Sequence, residues 1–161
     1  MAEIAGTPRA PTPRRVAVVV SRYNELVTAR LLDGARQCFR EHGVADATLD
    51  IVWVPGAFEL PVAAETAAVS GRYGAIVALG CVIRGDTPHF EFIAGAAARG
   101  LGNVAVAHGI AVGFGVLTTD TLEQAAARAG GAAGNKGYEA AEAALRTADV
   151  LAQLRRATTR D

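Results

Sequence analysis

Cysteine is scarce in this chain, and the two present, Cys38 and Cys81, lie far apart. No CxxC spacing and no Cys/His set can be read, which excludes a disulfide framework and a zinc pattern. Cys38 falls in a helical pattern and Cys81 at a strand end, positions suited to small buried hydrophobes. An excess of charge of either sign is missing too, because 16 basic side chains meet 16 acidic ones. A nucleic-acid surface asks for a basic stripe, so no nucleic-acid partner is expected. No apolar run reaches the length that spans a bilayer, and the N-terminus lacks the charged-then-apolar order of a secretory signal. No membrane partner is expected, and a reducing cytoplasm is the compartment these absences point to.

What is present is a chain with 51% apolar residues, too many for a disordered polymer. Its 161 residues suit one domain that buries a core without staples. Residues 1–15 hold Pro8, Pro11 and Pro13 beside Arg9, Arg14 and Arg15. That segment cannot be a helix and is expected to be a mobile tail or an edge strand. Residues 16–161 form the single domain.

From Val16 onward, strand and helix signals alternate. Strands are predicted at 16–20, 49–54, 75–82 and 110–116. Helices are predicted at 25–41, 58–69, 90–101 and 121–129, with a long alanine-rich helix at 138–156. In the first helix Leu26, Val27, Leu31, Ala35, Cys38 and Phe39 recur at three- and four-residue spacing, and His42-Gly43 ends it. Ser70-Gly71 stops the second helix, and Thr121-x-x-Gln124 reads as a capping box. Four alternations predict a parallel sheet with helices on both faces. The segment 130–137, GGAAGNKG, reads as the flexible interior hinge.

In such a sheet, ligands bind beyond the carboxyl ends of the strands. Those ends are Ser21-Arg22-Tyr23-Asn24, Pro55-Gly56-Ala57-Phe58-Glu59, Arg84-Gly85-Asp86-Thr87, and Gly113-Phe114-Gly115 with Thr118-Thr119-Asp120. Three contain an aromatic residue, which suits a planar polar ligand. The third is the richest. An apolar strand, AIVAL at 75–79, runs into GCVIRGDTPHF at 80–90. Thr87 followed by Pro88 reads as a hydroxyl N-cap with proline at the first helical position. A helix N-terminus favours an anion, and His89 puts beside it a side chain that moves protons near neutral pH. Chemistry on a phosphorylated small molecule follows from that pairing, against the plainer reading of a capped helix with a surface histidine.

On residues alone the remaining candidates stay divided. Tyr23 is a stacking platform or a core aromatic. Asn24 reads as an N-cap before it reads as a ligand. Glu59 sits in a first helical turn, where the dipole favours a carboxylate whether or not it binds hydroxyls. Arg128 and Lys136 flank the glycine hinge as solvated helix charges or as anion ligands.

Four motifs in chain order carry a resemblance. They are Arg22-Tyr23-Asn24, Val54-Pro55-Gly56-Ala57-Phe58-Glu59-Leu60-Pro61, the GCVIRGDTPHF run, and Gly115-Val116-Leu117-Thr118-Thr119-Asp120-Thr121-Leu122-Glu123-Gln124-Ala125. With Gly134-Asn135-Lys136-Gly137 they span roughly residues 14–155 and resemble the 6,7-dimethyl-8-ribityllumazine synthase family. The resemblance implies a three-layer α/β/α, flavodoxin-like fold with a four-stranded parallel sheet. It implies condensation of 5-amino-6-(D-ribitylamino)uracil with 3,4-dihydroxy-2-butanone 4-phosphate, the penultimate step of riboflavin biosynthesis, with no cofactor and no metal.

Carried over by residue, the resemblance makes His89 the proton-transfer group. Gly85, Asp86, Thr87 and Arg128 fall to the phosphate. Tyr23 stacks on the pyrimidine, with Asn24 beside it. Gly56, Ala57, Phe58 and Glu59 serve the ribityl end, and Cys81, Val82 and Ile83 line the uracil. Phe114, Arg128 and Lys136 come from a neighbouring subunit. A homopentamer is therefore implied, with a sixty-subunit icosahedral shell as its larger form and riboflavin synthase as an associated partner. The hinge keeps the short length and the Gly-Asn-Lys-Gly ending of shell-forming members but has Ala132 where they carry Lys. A flavodoxin-like module that holds a flavin or phosphosugar without turnover, or a purely structural shell protein, are the competing classes. Mixing both substrates and watching for the lumazine chromophore separates an enzyme from a binding module.

Overall fold

The computed structural model describes residues 1–159, and its first strand sets the architecture. β1 (Arg15–Ser21) is a run of valine, alanine and serine in which every residue after Arg15 is buried. Side chains alternate across a strand, so Val16, Val18 and Val20 enter one core while Ala17 and Val19 enter the other. A strand that is apolar on both faces has to be covered on both. β2 (Leu49–Val54) and β3 (Tyr73–Ile83) pair parallel with β1 on either side, so that Val18 lies between Ile51 and Val77. β4 (Ala111–Thr119) adds parallel to β3, giving the order β2-β1-β3-β4.

α1 (Glu25–Glu41) and α5 (Lys136–Thr158) cover one face, where Leu31, Phe39 and Leu145 are fully buried. α2 (Leu60–Val69) and α3 (His89–His108) cover the other with Leu60, Ala64 and Leu101. The short α4 (Leu122–Arg128) follows β4, and Thr121 with Gln124 forms the capping box that the spacing predicts. This is the three-layer α/β/α, flavodoxin-like arrangement. Among the described residues no helix is long and apolar enough to cross a membrane.

Several boundaries differ from the sequence expectation, each for a physical reason. β4 continues to Thr119, so Gly113-Phe114-Gly115 is its middle and not a strand tip. The two glycines there are packing residues: a Cβ at Gly113 would lie 2.3 Å from the Ala140 carbonyl oxygen, and one at Gly115 would lie 2.5 Å from Leu79. α3 continues well past Leu101 to His108, where Gly109 at φ 57 ends it. Its internal Gly100 lets α2 approach, because a Cβ there would come within 2.7 Å of Pro61.

Leu26 also departs from the expected stripe. It is 89% exposed while Val27, Leu31, Ala35, Cys38 and Phe39 are buried. Full burial of such a side chain stabilises by roughly 1.5–3 kcal/mol, a gain Leu26 forgoes in the single chain. The segment 130–137 is not an open hinge. It holds an antiparallel hairpin of β5 (Ala129–Gly131) and β6 (Gly134–Asn135), and α5 starts at Lys136.

Residues 1–11 carry no regular secondary structure, and the stretch 5–9 lies along α5. Asp149, nearly buried on α5, accepts from the Thr7 backbone N–H at 3.0 Å, from Gln153 at 2.9 Å and from the Arg9 guanidinium. These donors hold its carboxyl below the usual range, with the Thr7 N–H acting most strongly.

Candidate active site

Because the sheet is parallel, the tips of β1, β2 and β3 reach the same edge. The first loop is an extension of the ladder. Arg22 N–H donates to the Val54 carbonyl at 2.8 Å and Tyr23 N–H to the Pro55 carbonyl at 3.0 Å. That pairing holds Tyr23 at the rim, 73% exposed. Asn24 occupies the N-cap position in left-handed geometry, φ 60, but its side chain makes no cap bond. Its amide instead donates to the Cys81 carbonyl at 3.0 Å, bracing the first loop against β3.

In the second loop Glu59 reaches back and accepts from the Gly56 N–H at 2.9 Å. A carboxylate has about four lone-pair sites, so this contact shapes the loop and leaves capacity for ligand hydroxyls. In the third loop Thr87 Oγ1 accepts from the His89 N–H at 3.4 Å, with Pro88 as the flanking residue. The helix thus opens at His89 with Pro88 in the N-cap position, one residue after the Thr87 that the sequence reads as N-cap. A Cβ at Gly85 would meet nothing within 4 Å, so bare backbone faces whatever lands there.

Between these loops lies a recess of about 600 Å³. It brings together Tyr23, Gly56, Ala57, Phe58, Glu59, Cys81, Val82, Ile83, Gly85, Thr87 and His89. Asn24 and Asp86 are not among its lining residues. Burial pushes the Cys81 thiol up to about 11, so a neutral sulfur, not a thiolate nucleophile, lies in this wall. Pro55, Phe90 and Ile93 also line the recess and carry no role in the sequence reading. Ile93 lies four residues after His89 on α3, the spacing that shares a helix face, and that signal would have found it.

Phe114, Arg128 and Lys136 lie elsewhere. They line a hollow of about 210 Å³ along the edge strand β4. Phe114 is 48% exposed there. Arg128 donates to the Gln124 carbonyl at 3.0 Å, and Lys136 pairs with Glu139 at 2.7 Å. Lys136 is held by its neighbours. Asn135 accepts from Gly137 and Tyr138 N–H at 2.8 and 3.2 Å and donates to the Arg30 carbonyl at 3.0 Å. A third hollow, of about 540 Å³, opens beside the N-terminal segment with Arg14, His108 and Arg155 in its wall. None of the strand-tip loops reaches it.

The family model described as 6,7-dimethyl-8-ribityllumazine synthase matches residues 13–152. The chain belongs to the lumazine synthase family. A 6,7-dimethyl-8-ribityllumazine synthase from Gemmatimonas aurantiaca is 54% identical over 151 residues, covering 94% of this chain and 92% of that protein. The match runs through all four strand tips and through the hairpin that precedes Lys136. Lumazine synthesis for riboflavin is the function this membership establishes, and the non-catalytic binding module and the purely structural shell are set aside.

Proposed function

We propose that the enzyme is a cytoplasmic transferase whose site is completed by a neighbouring copy of the chain. One chain supplies the recess with Tyr23, Glu59 and His89, and the next supplies Phe114, Arg128 and Lys136 from its β4 edge. The observation that carries this reading is the separation of the candidate residues into two hollows of one chain. Neither hollow holds the full set.

In this arrangement the uracil stacks on Tyr23 and meets the backbone of Val82 and Ile83. The ribityl hydroxyls donate to the Glu59 carboxylate, in the pocket that Gly56, Ala57 and Phe58 shape. The butanone phosphate rests on backbone N–H groups of Gly85, Asp86 and Thr87 and on the Thr87 hydroxyl, with the Arg128 guanidinium of the neighbour as a bidentate partner. The amine attacks the ketone and an imine forms with loss of water. Phosphate leaves, and ring closure with loss of a second water gives the lumazine. His89 moves protons between these steps, a task worth roughly 10²–10⁴-fold. Orientation of the two substrates supplies much of the remainder.

Complementation tests the shared site. His89→Ala and Arg128→Ala chains are each expected to be nearly inactive when assembled alone. Co-assembled from a mixed refold, they regain turnover, because some interfaces join an intact His89 to an intact Arg128. Native mass measurement confirms mixing. If mixed assemblies stay as inactive as the parents, the site lies within one chain.

A further inference from the structure

Arg84 carries no role in the reaction, although it stands where β3 leaves the sheet for the phosphate loop. Its backbone N–H donates to the Thr119 carbonyl at 2.9 Å, extending the β3–β4 ladder one residue past the strand end. Its side chain then bridges two elements. Nε donates to Asp120 at the tip of β4 at 2.9 Å, and Nη1 lies 3.4 Å from Glu91 in the first turn of α3. The guanidinium also stacks on the ring of Phe90, 4.5 Å from its centroid. Phe90 is a wall of the recess that contains His89 and also of a further hollow of about 370 Å³, distinct from the one with Phe114 and Lys136, that Arg84, Asp120 and Arg128 line as well.

We infer that Arg84 is a positioning residue that fixes the first turn of α3, and with it the phosphate loop and His89. This rests on the proposed site and goes beyond it. The first turn of a helix is its least supported part, since its first four N–H groups have no partner within the helix. Among the described residues, the Thr87 hydroxyl accepts from the His89 N–H, and one turn bond runs from the Glu91 N–H to the Pro88 carbonyl at 3.1 Å at this entry. A guanidinium that joins this turn to β4 and pins Phe90 supplies the missing restraint. Direct binding of phosphate by Arg84 is the rival role. Against it, two carboxylates already lie on the group, and both would repel an incoming anion.

The clamp is solvent-exposed, so its loss moves the thermal midpoint by no more than about 2 °C. The cost falls on geometry, where small misplacement lowers kcat/KM by about tenfold to about a hundredfold.

The test is a double-mutant cycle on the assembled enzyme, with steady-state KM for each substrate and titration of inorganic phosphate. Wild type is assayed first, and failure to form the lumazine overturns the proposed function and this inference with it. With active wild type, Arg84→Ala raises KM for the butanone phosphate by about tenfold or more and leaves KM for the pyrimidine within about twofold. Asp120→Asn produces part of the same defect. The double variant is no worse than Arg84→Ala, because both break one clamp. Arg84→Lys keeps the charge, loses the stacked plane and restores only part of the loss. An unchanged KM in Arg84→Ala overturns this inference alone. So does tighter phosphate binding in Asp120→Asn, since freeing the guanidinium from its carboxylate improves a direct ligand and harms a clamp.

Discussion

Asp50 shows how much one side chain on an edge strand can join. Its carboxylate accepts from Arg15 Nε at 2.8 Å and from the Tyr73 hydroxyl at 2.8 Å, with Arg72 at 3.5 Å, so the beginnings of β1, β2 and β3 meet on one group. The Arg15 hydrogen bond, opposed by desolvation and helped by Tyr73, holds its carboxyl down to about 2 from an ordinary 3.8. A depressed carboxyl stabilises the folded state above the unfolded value and loses that contribution as pH falls through the folded value. Wild type is therefore expected to lead Asp50→Asn in thermal midpoint at neutral pH. The gap should begin to close near pH 4 and vanish only below about pH 2. A gap that persisted unchanged to pH 2 would show that the contribution of Asp50 is packing and not charge. The same scale explains what a residue-by-residue reading misses. Nothing local in the sequence tells that the side chain of Asn24 spans to Cys81 and leaves its own helix uncapped, because the partner lies 57 positions away.

At the scale of elements, the glycines decide what can be read. Local glycine signals place the ends of α1 at His42-Gly43 and of α2 at Ser70-Gly71 correctly, because a helix stop is a local event. They mislead inside β4 and α3, where Gly113, Gly115 and Gly100 make room for α5, Leu79 and α2. A packing glycine and a turn glycine look alike until the partner element is known. The hairpin at 129–135 misleads for a related reason, since its glycines permit a tight return and not a loose hinge. Gly137 is the sharpest case. A Cβ there would lie 1.9 Å from the Leu31 carbonyl oxygen, and Asn135, two residues before it, is wedged against Gly34 of α1. Gly137→Ala is expected to force α5 off α1 at a cost of about 1–3 kcal/mol. Turnover should fall with it, because Lys136 moves with the start of the helix. Thermal melts paired with turnover check this, and an unchanged midpoint would mean that α5 is not seated on α1 as described.

At the scale of the whole molecule, the question is what the single chain leaves in water. Leu26 on α1 is 89% exposed and Val106 on α3 is 87% exposed, while Val62 and Val69 on α2 and Phe92 on α3 are each more than 60% exposed. Isolated apolar residues at a surface are ordinary, but here they recur on three helices of a chain whose candidate site is also split between two hollows. Both facts have one explanation if neighbouring copies cover these faces and bring the β4 edge to the recess. The strand-tip loops of the recess were legible in the sequence because each follows its own strand. The apposition of the second hollow was not, since no spacing within one chain encodes a contact between two. The expected native mass is that of at least five chains of 16.6 kDa each. Turnover per chain should fall on dilution as the assembly dissociates. Electron microscopy then separates a free pentamer from a closed shell. A monomer that retained full turnover at every dilution would place the whole site in one chain and leave the β4-edge hollow without a catalytic purpose.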